Sequence, residues 1–208
     1  MGVLKWAAKH GHASLDNGVT YWKTLRSLHT AALHGRSEAT RVLLELGTDM
    51  AIINQQKAMP AHLAARGSVS CLQAFIDARF ALNTEGPNYA EVPHFATHHA
   101  SIEMVGYFLG KAEMKMAINA RNFAGYTPLH LAILNSEIVK LLLPHGADME
   151  VQDCYRRTPT HCPACGGIRG LDSESLKTLT DSGSALSIRA DNGQTVLLYA
   201  AESINHKR

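Results

Sequence analysis

The sequence is poor in the features that announce a special environment. Four cysteines in 208 residues, Cys71, Cys154, Cys162 and Cys165, and no Asn-x-Ser/Thr sequon, exclude a disulfide framework and point to a reducing compartment, cytoplasmic or nuclear. Neither charge sign dominates: 20 basic against 18 acidic residues leave a formal net charge of +2, without runs of like charge. That balance lacks the electrostatic footprint of a nucleic-acid or anionic-membrane binder. The longest apolar stretches, such as residues 104–109, fall far short of the roughly 20 residues that span a bilayer. The first residues, Met1-Gly2-Val3-Leu4-Lys5-Trp6, hold neither the apolar core of a signal peptide nor a myristoylation motif. A soluble chain with no membrane partner is expected, and an apolar fraction of 46% gives it enough material for a substantial core.

What is present is a repeat. Thr127-Pro128-Leu129-His130-Leu131-Ala132 returns as Met59-Pro60-Ala61-His62-Leu63-Ala64 and as Arg26-Ser27-Leu28-His29-Thr30-Ala31. It returns again as Val92-Pro93-His94-Phe95-Ala96, one residue short, as Thr158-Pro159-Thr160-His161, and in Thr195-Val196-Leu197-Leu198-Tyr199-Ala200. The proline slot falls at Ser27, Pro60, Pro93, Pro128, Pro159 and Val196, a period near 33 residues. Behind each full marker lies a second apolar segment at helical spacing, Val42-Leu43-Leu44 and Val139 with Leu141-Leu142-Leu143 among them. The pattern predicts two helices per unit. Threonine caps the first helix, proline fits its first turn, leucine and alanine form its buried face, and the histidine reaches across the adjoining loop. Gly47 and Gly146 suit the left-handed residue that ends the second helix. A unit this small cannot bury its own apolar face, so the units must stack.

Residues Gly125 to Asp148, GYTPLHLAILNSEIVKLLLPHGAD, resemble the ankyrin repeat family almost letter for letter, and the weaker copies extend the likeness over nearly the whole chain. The resemblance implies an all-α solenoid of stacked helix-loop-helix units joined by β-hairpin loops. Residues 1–208 then form a single ankyrin-repeat domain, with a truncated N-terminal repeat at 1–24, repeats at 25–57, 58–90, 91–124 and 125–155, a repeat with an insertion at 156–193, and a C-terminal half-repeat at 194–208. The insertion shows in the spacing. From the marker to the second helix there are 15 residues in that unit against 9 to 11 in the others. Neither end shows the pattern of a polar cap, so a piece of a longer array, a decayed array, or ends covered by a partner or by self-association are the expectations.

The insertion follows a Cys-x-x-Cys pair. Cys162 and Cys165, with His161 and Cys154, make up a set of zinc-ligand types, and vicinal thiols also suit redox chemistry. The alignment favours a plainer assignment: His161 occupies the histidine slot and Cys162 the leucine slot, where cysteine serves as a small apolar residue. No second Cys-x-x-Cys and no thioredoxin-like alternation of strand and helix supports the pair, so no metal and no cofactor is expected. Pro163 forces the inner helix of this unit to be short or kinked.

Two sets of residues remain as candidates for binding. His34, Arg66, His98, His99, Leu134 and Asn135 occupy the variable positions after the first helix, which in the family face the concave groove. Gln56, Tyr89, Phe123, Tyr126, Tyr155 and Arg156 lie at the hairpin tips, and aromatics with arginine are favoured interface anchors. No nucleophile with a base and no carboxylate dyad converges on either set. The resemblance implies a non-catalytic scaffold or adaptor that binds another protein through groove and tips. The alternative is an array that binds a small molecule in its groove, even with a catalytic role in a biosynthetic pathway. It requires a closed pocket of several hundred cubic ångströms lined by His98, His99 and Leu134.

Overall fold

The computed structural model describes residues 27–54, 57–80, 92–99, 101–111, 117–161 and 173–205. Gln56, Tyr89, Cys162 and Cys165 lie outside them. The described residues are all-α apart from one isolated antiparallel bridge, Arg189 with Thr195, so the loops between units turn as hairpins without forming a sheet. Contacts gather into two compact units, Met1–Pro87 and Asn88–Arg208.

The first unit holds a helical segment over 27–33, an outer helix Ser37–Glu45, an inner helix Pro60–Ala64 and an outer helix Val69–Asp77. Its core is small and tightly set: Leu28, Ala31, Ala32, Ala61, Ala64 and Ala65 let inner helices approach closely, while Leu72 and Phe75 fill the outer layer. The second unit holds inner helices Val92–His98 and Pro128–Ala132, outer helices Ile102–Leu109, Ser136–Leu142 and Ser173–Asp181, and the closing helix Val196–Asn205. Met104, Val105, Leu129, Ile138, Val139 and Leu179 are buried there. Every outer helix begins where the apolar spacing placed it. In the fifth marker unit the described part of the inner helix is a 3-10 turn, Pro159–His161.

The inner helices are too short to persist alone, since five residues hardly repay nucleation. They pack instead against outer helices whose ends are fixed. Ser68, Ser101 and Asn135 accept hydrogen bonds from backbone N–H groups in the first turns of the outer helices, at 3.2 to 3.3 Å. Each such cap contributes about 1 kcal/mol. At the far ends the residues at Gly47, Arg79, Gly146 and Gly183 adopt positive φ. Each closes the same pair of bonds, as in Gly47 N–H to Leu44 O and Thr48 N–H to Leu43 O.

Within each compact unit, successive repeats are joined by histidines. In His130 the Nδ1 atom accepts from the Thr127 backbone N–H at 3.1 Å, and Nε2 lies 3.2 Å from the carbonyl of Arg157 in the next hairpin. An amide N–H only donates and a carbonyl only accepts, so the ring is neutral with its proton on Nε2. His161 repeats the arrangement between Thr158 N–H and Ile188 O, and His29 and His94 reach Ala58 O and Tyr126 O at 3.0 Å. Burial opposes the imidazolium: it pushes the pKa of His130 down from 6.5 to about 4 and lowers that of His161 in the same direction.

This ring chemistry makes stability depend on pH. A folded-state pKa below the unfolded one means that acid protonates the unfolded chain first. The His130 contribution is therefore intact above pH 6.5 and is lost as pH falls from 6.5 towards 4. Urea denaturation is expected to show a loss of about 2 kcal/mol from His130 alone between pH 7 and pH 5. The variant His130→Gln, which lacks the titrating ring, is expected to be less stable at pH 7 but to show a correspondingly flatter pH profile. Equal pH slopes for the two proteins would contradict this.

Candidate functional site

The hairpin tips of the second unit are built on one local pattern. At the first tip Asn122 N–H donates to Tyr126 O and Gly125 N–H donates to Asn122 O. At the second, Asp153 N–H donates to Arg157 O and Arg156 N–H to Asp153 O. At the third, Ala190 N–H donates to Gln194 O and Gly193 N–H to Ala190 O. The fourth residue of each turn has positive φ: Gly125 at 77°, Arg156 at 56° and Gly193 at 76°. The first unit follows the same rule at Asn54 to Ala58, with Lys57 at 59°. In the first two of these turns the first side chain completes the reversal. Asn122 Oδ1 accepts from Ala124 and Tyr126 N–H, and Asp153 Oδ1 accepts from Tyr155 and Arg157 N–H.

Neighbouring tips are tied through their backbones. Cys154 N–H donates to Ala124 O, and Asp191 N–H donates to Tyr155 O, both at 3.0 Å. The approach is so close that a Cβ on Gly125 would lie 2.9 Å from Asp153 Cα, Cys154 N and Arg121 Nη2. Below the surface, the guanidinium of Arg157 meets the buried Asp153 carboxylate through Nε at 2.7 Å and Nη2 at 2.6 Å. It also donates to Tyr126 Oη at 2.7 Å and lies 4.8 Å from the centroid of Tyr155. Such charge-assisted bonds hold both rings from beneath.

On this frame the sequence-derived candidates separate. Phe123 is 72% exposed and Tyr155 60%, on consecutive tips. Arg156 is exposed beside them, its Nε 4.0 Å from Asp191. Tyr126 is half-buried and serves the frame. Of the inner-helix set, His98 and His99 are exposed with rings stacked 5.0 Å apart, and Leu134 is exposed as well. Asn135 is engaged as the cap of the outer helix Ser136–Leu142. In the first unit His34 and Arg66 are exposed, and so is Leu33, which the sequence did not single out. Also missed were Asp153 and its pairing with Arg157, whose signal was the Asn-or-Asp position repeated at Asn54, Asn122 and Asp153.

Two openings among the described residues, one in each unit, are lined without the groove histidines. A mostly apolar cavity of about 20 Å³ between Pro93, Ala96, Val105, Phe108, Pro128 and Leu142 is no larger than one water molecule needs, and its one polar lining side chain, Thr97, already donates to Pro93 O or His94 O. In the first unit an open cleft of about 650 Å³ is bordered by Arg41, Glu45, Asp49, Asp77 and their neighbours, and contains neither His34 nor Arg66. Among the described residues no group of three or more His, Cys, Asp or Glu side chains is placed to hold a metal ion.

Comparison with known proteins agrees with the repeat. The family profile described as Ankyrin repeats (3 copies) matches residues 61–153 and 93–188, together more than half of the chain. A putative E3 ubiquitin-protein ligase, XBAT31, of Arabidopsis thaliana is 31% identical over 64% of this chain and 32% of its own length. The B-cell lymphoma 3 protein homolog of Mus musculus is 27% identical over 83% of this chain and 39% of its own. Transient receptor potential cation channel subfamily A member 1 of Homo sapiens is 29% identical over 54% of this chain and 10% of its own. The chain thus spans about a third of the first two relatives and a tenth of the third.

The tip geometry makes two glycines behave oppositely. Gly125→Ala combines positive φ with a Cβ pressed on backbone atoms and is expected to cost about 3 kcal/mol. Gly106→Ala, inside the helix Ile102–Leu109 where a Cβ meets nothing within 4 Å, is expected to add about 1 kcal/mol. Urea midpoints test the pair, and a neutral Gly125→Ala would refute the close approach of the tips.

Proposed function

The chain belongs to the ankyrin-repeat family, whose repeats generally mediate protein–protein interaction, and from that premise we propose a non-catalytic scaffold or adaptor that holds a partner protein on the tips of its second unit. The observation that carries this reading is the pair Phe123 and Tyr155, large, exposed and adjacent along a backbone-bonded ribbon. An exposed aromatic ring ordinarily forfeits side-chain entropy when it binds. Here the turn bonds have already fixed the backbones beneath both rings, and Arg157 lies against Tyr155, so less order remains to be imposed. Aromatics of this kind, with a neighbouring arginine, dominate interface energies.

The inner-helix ends of the second unit contribute a second strip of contact, where His98, His99 and Leu134 present varied side chains at equivalent positions of successive repeats. Family members are typically non-enzymatic, and the ubiquitin-ligase and channel activities in the relatives' names belong to proteins of which this chain matches only a part.

Affinity capture from lysate tests the reading. Immobilised wild-type chain is compared with Phe123→Ala/Tyr155→Ala and with His99→Ala/Leu134→Ala, and the captured proteins are quantified by mass spectrometry. The tip variant is expected to retain its fold and lose at least one partner about tenfold, as hot-spot removal does. An unchanged partner set with the tip variant would contradict the proposal.

A further inference from the structure

The charges of the second unit's tips divide into a buried set and an exposed one. Arg157 and Asp153 neutralise each other, with side chains only 13% and 0% exposed. In the turns 121–126, 152–157 and 189–194 the charges left at the surface are Arg121, Arg156, Arg189 and Asp191, three cations to one anion. Arg121 donates Nη2 to Gln152 O and Arg189 donates Nη1 to Gly193 O, each at 2.7 Å. A carbonyl orients a guanidinium without cancelling its charge. Arg156 and Asp191 are separated by 4.0 Å with both side chains more than half exposed, a geometry in which an ion pair contributes little. Exposed arginines therefore flank the exposed rings of Phe123 and Tyr155 on a single ribbon whose tips are joined by the Cys154-to-Ala124 and Asp191-to-Tyr155 backbone bonds.

Resting on the tip-docking reading above, we infer that the partner segment held there is an acidic, extended peptide in which carboxylates alternate with apolar side chains. Its carboxylates meet the forked guanidinium groups of Arg121 and Arg156, which suit bidentate acceptors. Its apolar side chains cover Phe123 and Tyr155. A basic segment is repelled at the same surface, so the arginines serve selection as much as attachment. Three cations spread over three turns do not make the continuous track that a phosphate backbone follows, which favours a peptide over a nucleic acid.

Selection from a random linear-peptide phage library on the immobilised full chain tests this, with the enriched pool read by sequencing. The pool is expected to favour net-acidic over net-basic peptides about tenfold. That bias should vanish or invert on Arg121→Glu/Arg156→Glu, while Phe123→Ala/Tyr155→Ala should lower recovery about tenfold. Because Arg121 also bonds Gln152, the single charge reversal Arg156→Glu, at a residue whose only polar side-chain contact among the described residues is the long pair with Asp191, serves if the first fails to fold, and it should weaken the bias in the same sense. A pool that the aromatic variant abolishes but that carries no acidic bias overturns the acidic assignment and leaves the tips as a docking site. An acidic pool indifferent to every variant overturns both this inference and the reading it rests on. No enrichment, or preferential retention of a single-stranded RNA over the acidic peptides, overturns the inference as well.

Discussion

A neutral imidazole can accept at one edge and donate at the other, and the repeat stack hangs on that property. His130 takes an N–H from Thr127 in its own unit and gives one to Arg157 O in the next. The net worth of one such bond is about 1 kcal/mol. Its importance lies in what it replaces: without the ring, a helix-entry N–H loses its acceptor and the carbonyl loses a donor. Buried groups left so cost more than the bond contributes. The ring also sets a length. It must span from the start of one inner helix to the next hairpin, which is a physical reason for the repeat period to hold near this slot while other parts of the unit vary.

The carbonyl taken by the histidine also belongs to the tip. Ala58 O, Tyr126 O and Arg157 O each accept from the first N–H of their own turn as well as from a histidine of the preceding repeat. Core stacking and tip conformation are therefore coupled through shared acceptors. Above that anchor, the Asn122 or Asp153 side chain closes the turn, the residue with positive φ reverses it, and neighbouring tips bond to each other. Only after this order is in place do Phe123 and Tyr155 stand exposed at fixed positions.

Much of the fold was legible because its signals are local and periodic. Pro60 and Pro128 mark first helical turns since proline lacks only a donor that the turn does not use. Glu38, Ser70, Glu103, Glu137 and Glu174 fall in the first turns of outer helices for the same periodic reason. The histidine slot and the turns at Gly47 and Gly146 followed from residue type. Arg79, Arg156 and Lys57 did not: their side chains do not announce positive φ, and the turn imposes it on them. The Asp153–Arg157–Tyr126 cluster was hidden because it joins two repeats that look like separate tips in the sequence. Asn135 looked like a groove residue because the repeat alignment ranks position, whereas its amide is used as a helix cap.

At the heart of the stack, His130 and His161 are neutral and carry their proton on Nε2. Long-range proton–nitrogen correlation spectra of the imidazole rings at neutral pH measure this directly. His130 and His161 are each expected to show one protonated Nε2 and one unprotonated Nδ1 with no averaging between tautomers. Rings protonated on Nδ1, exchanging between tautomers, or charged at that pH would contradict it.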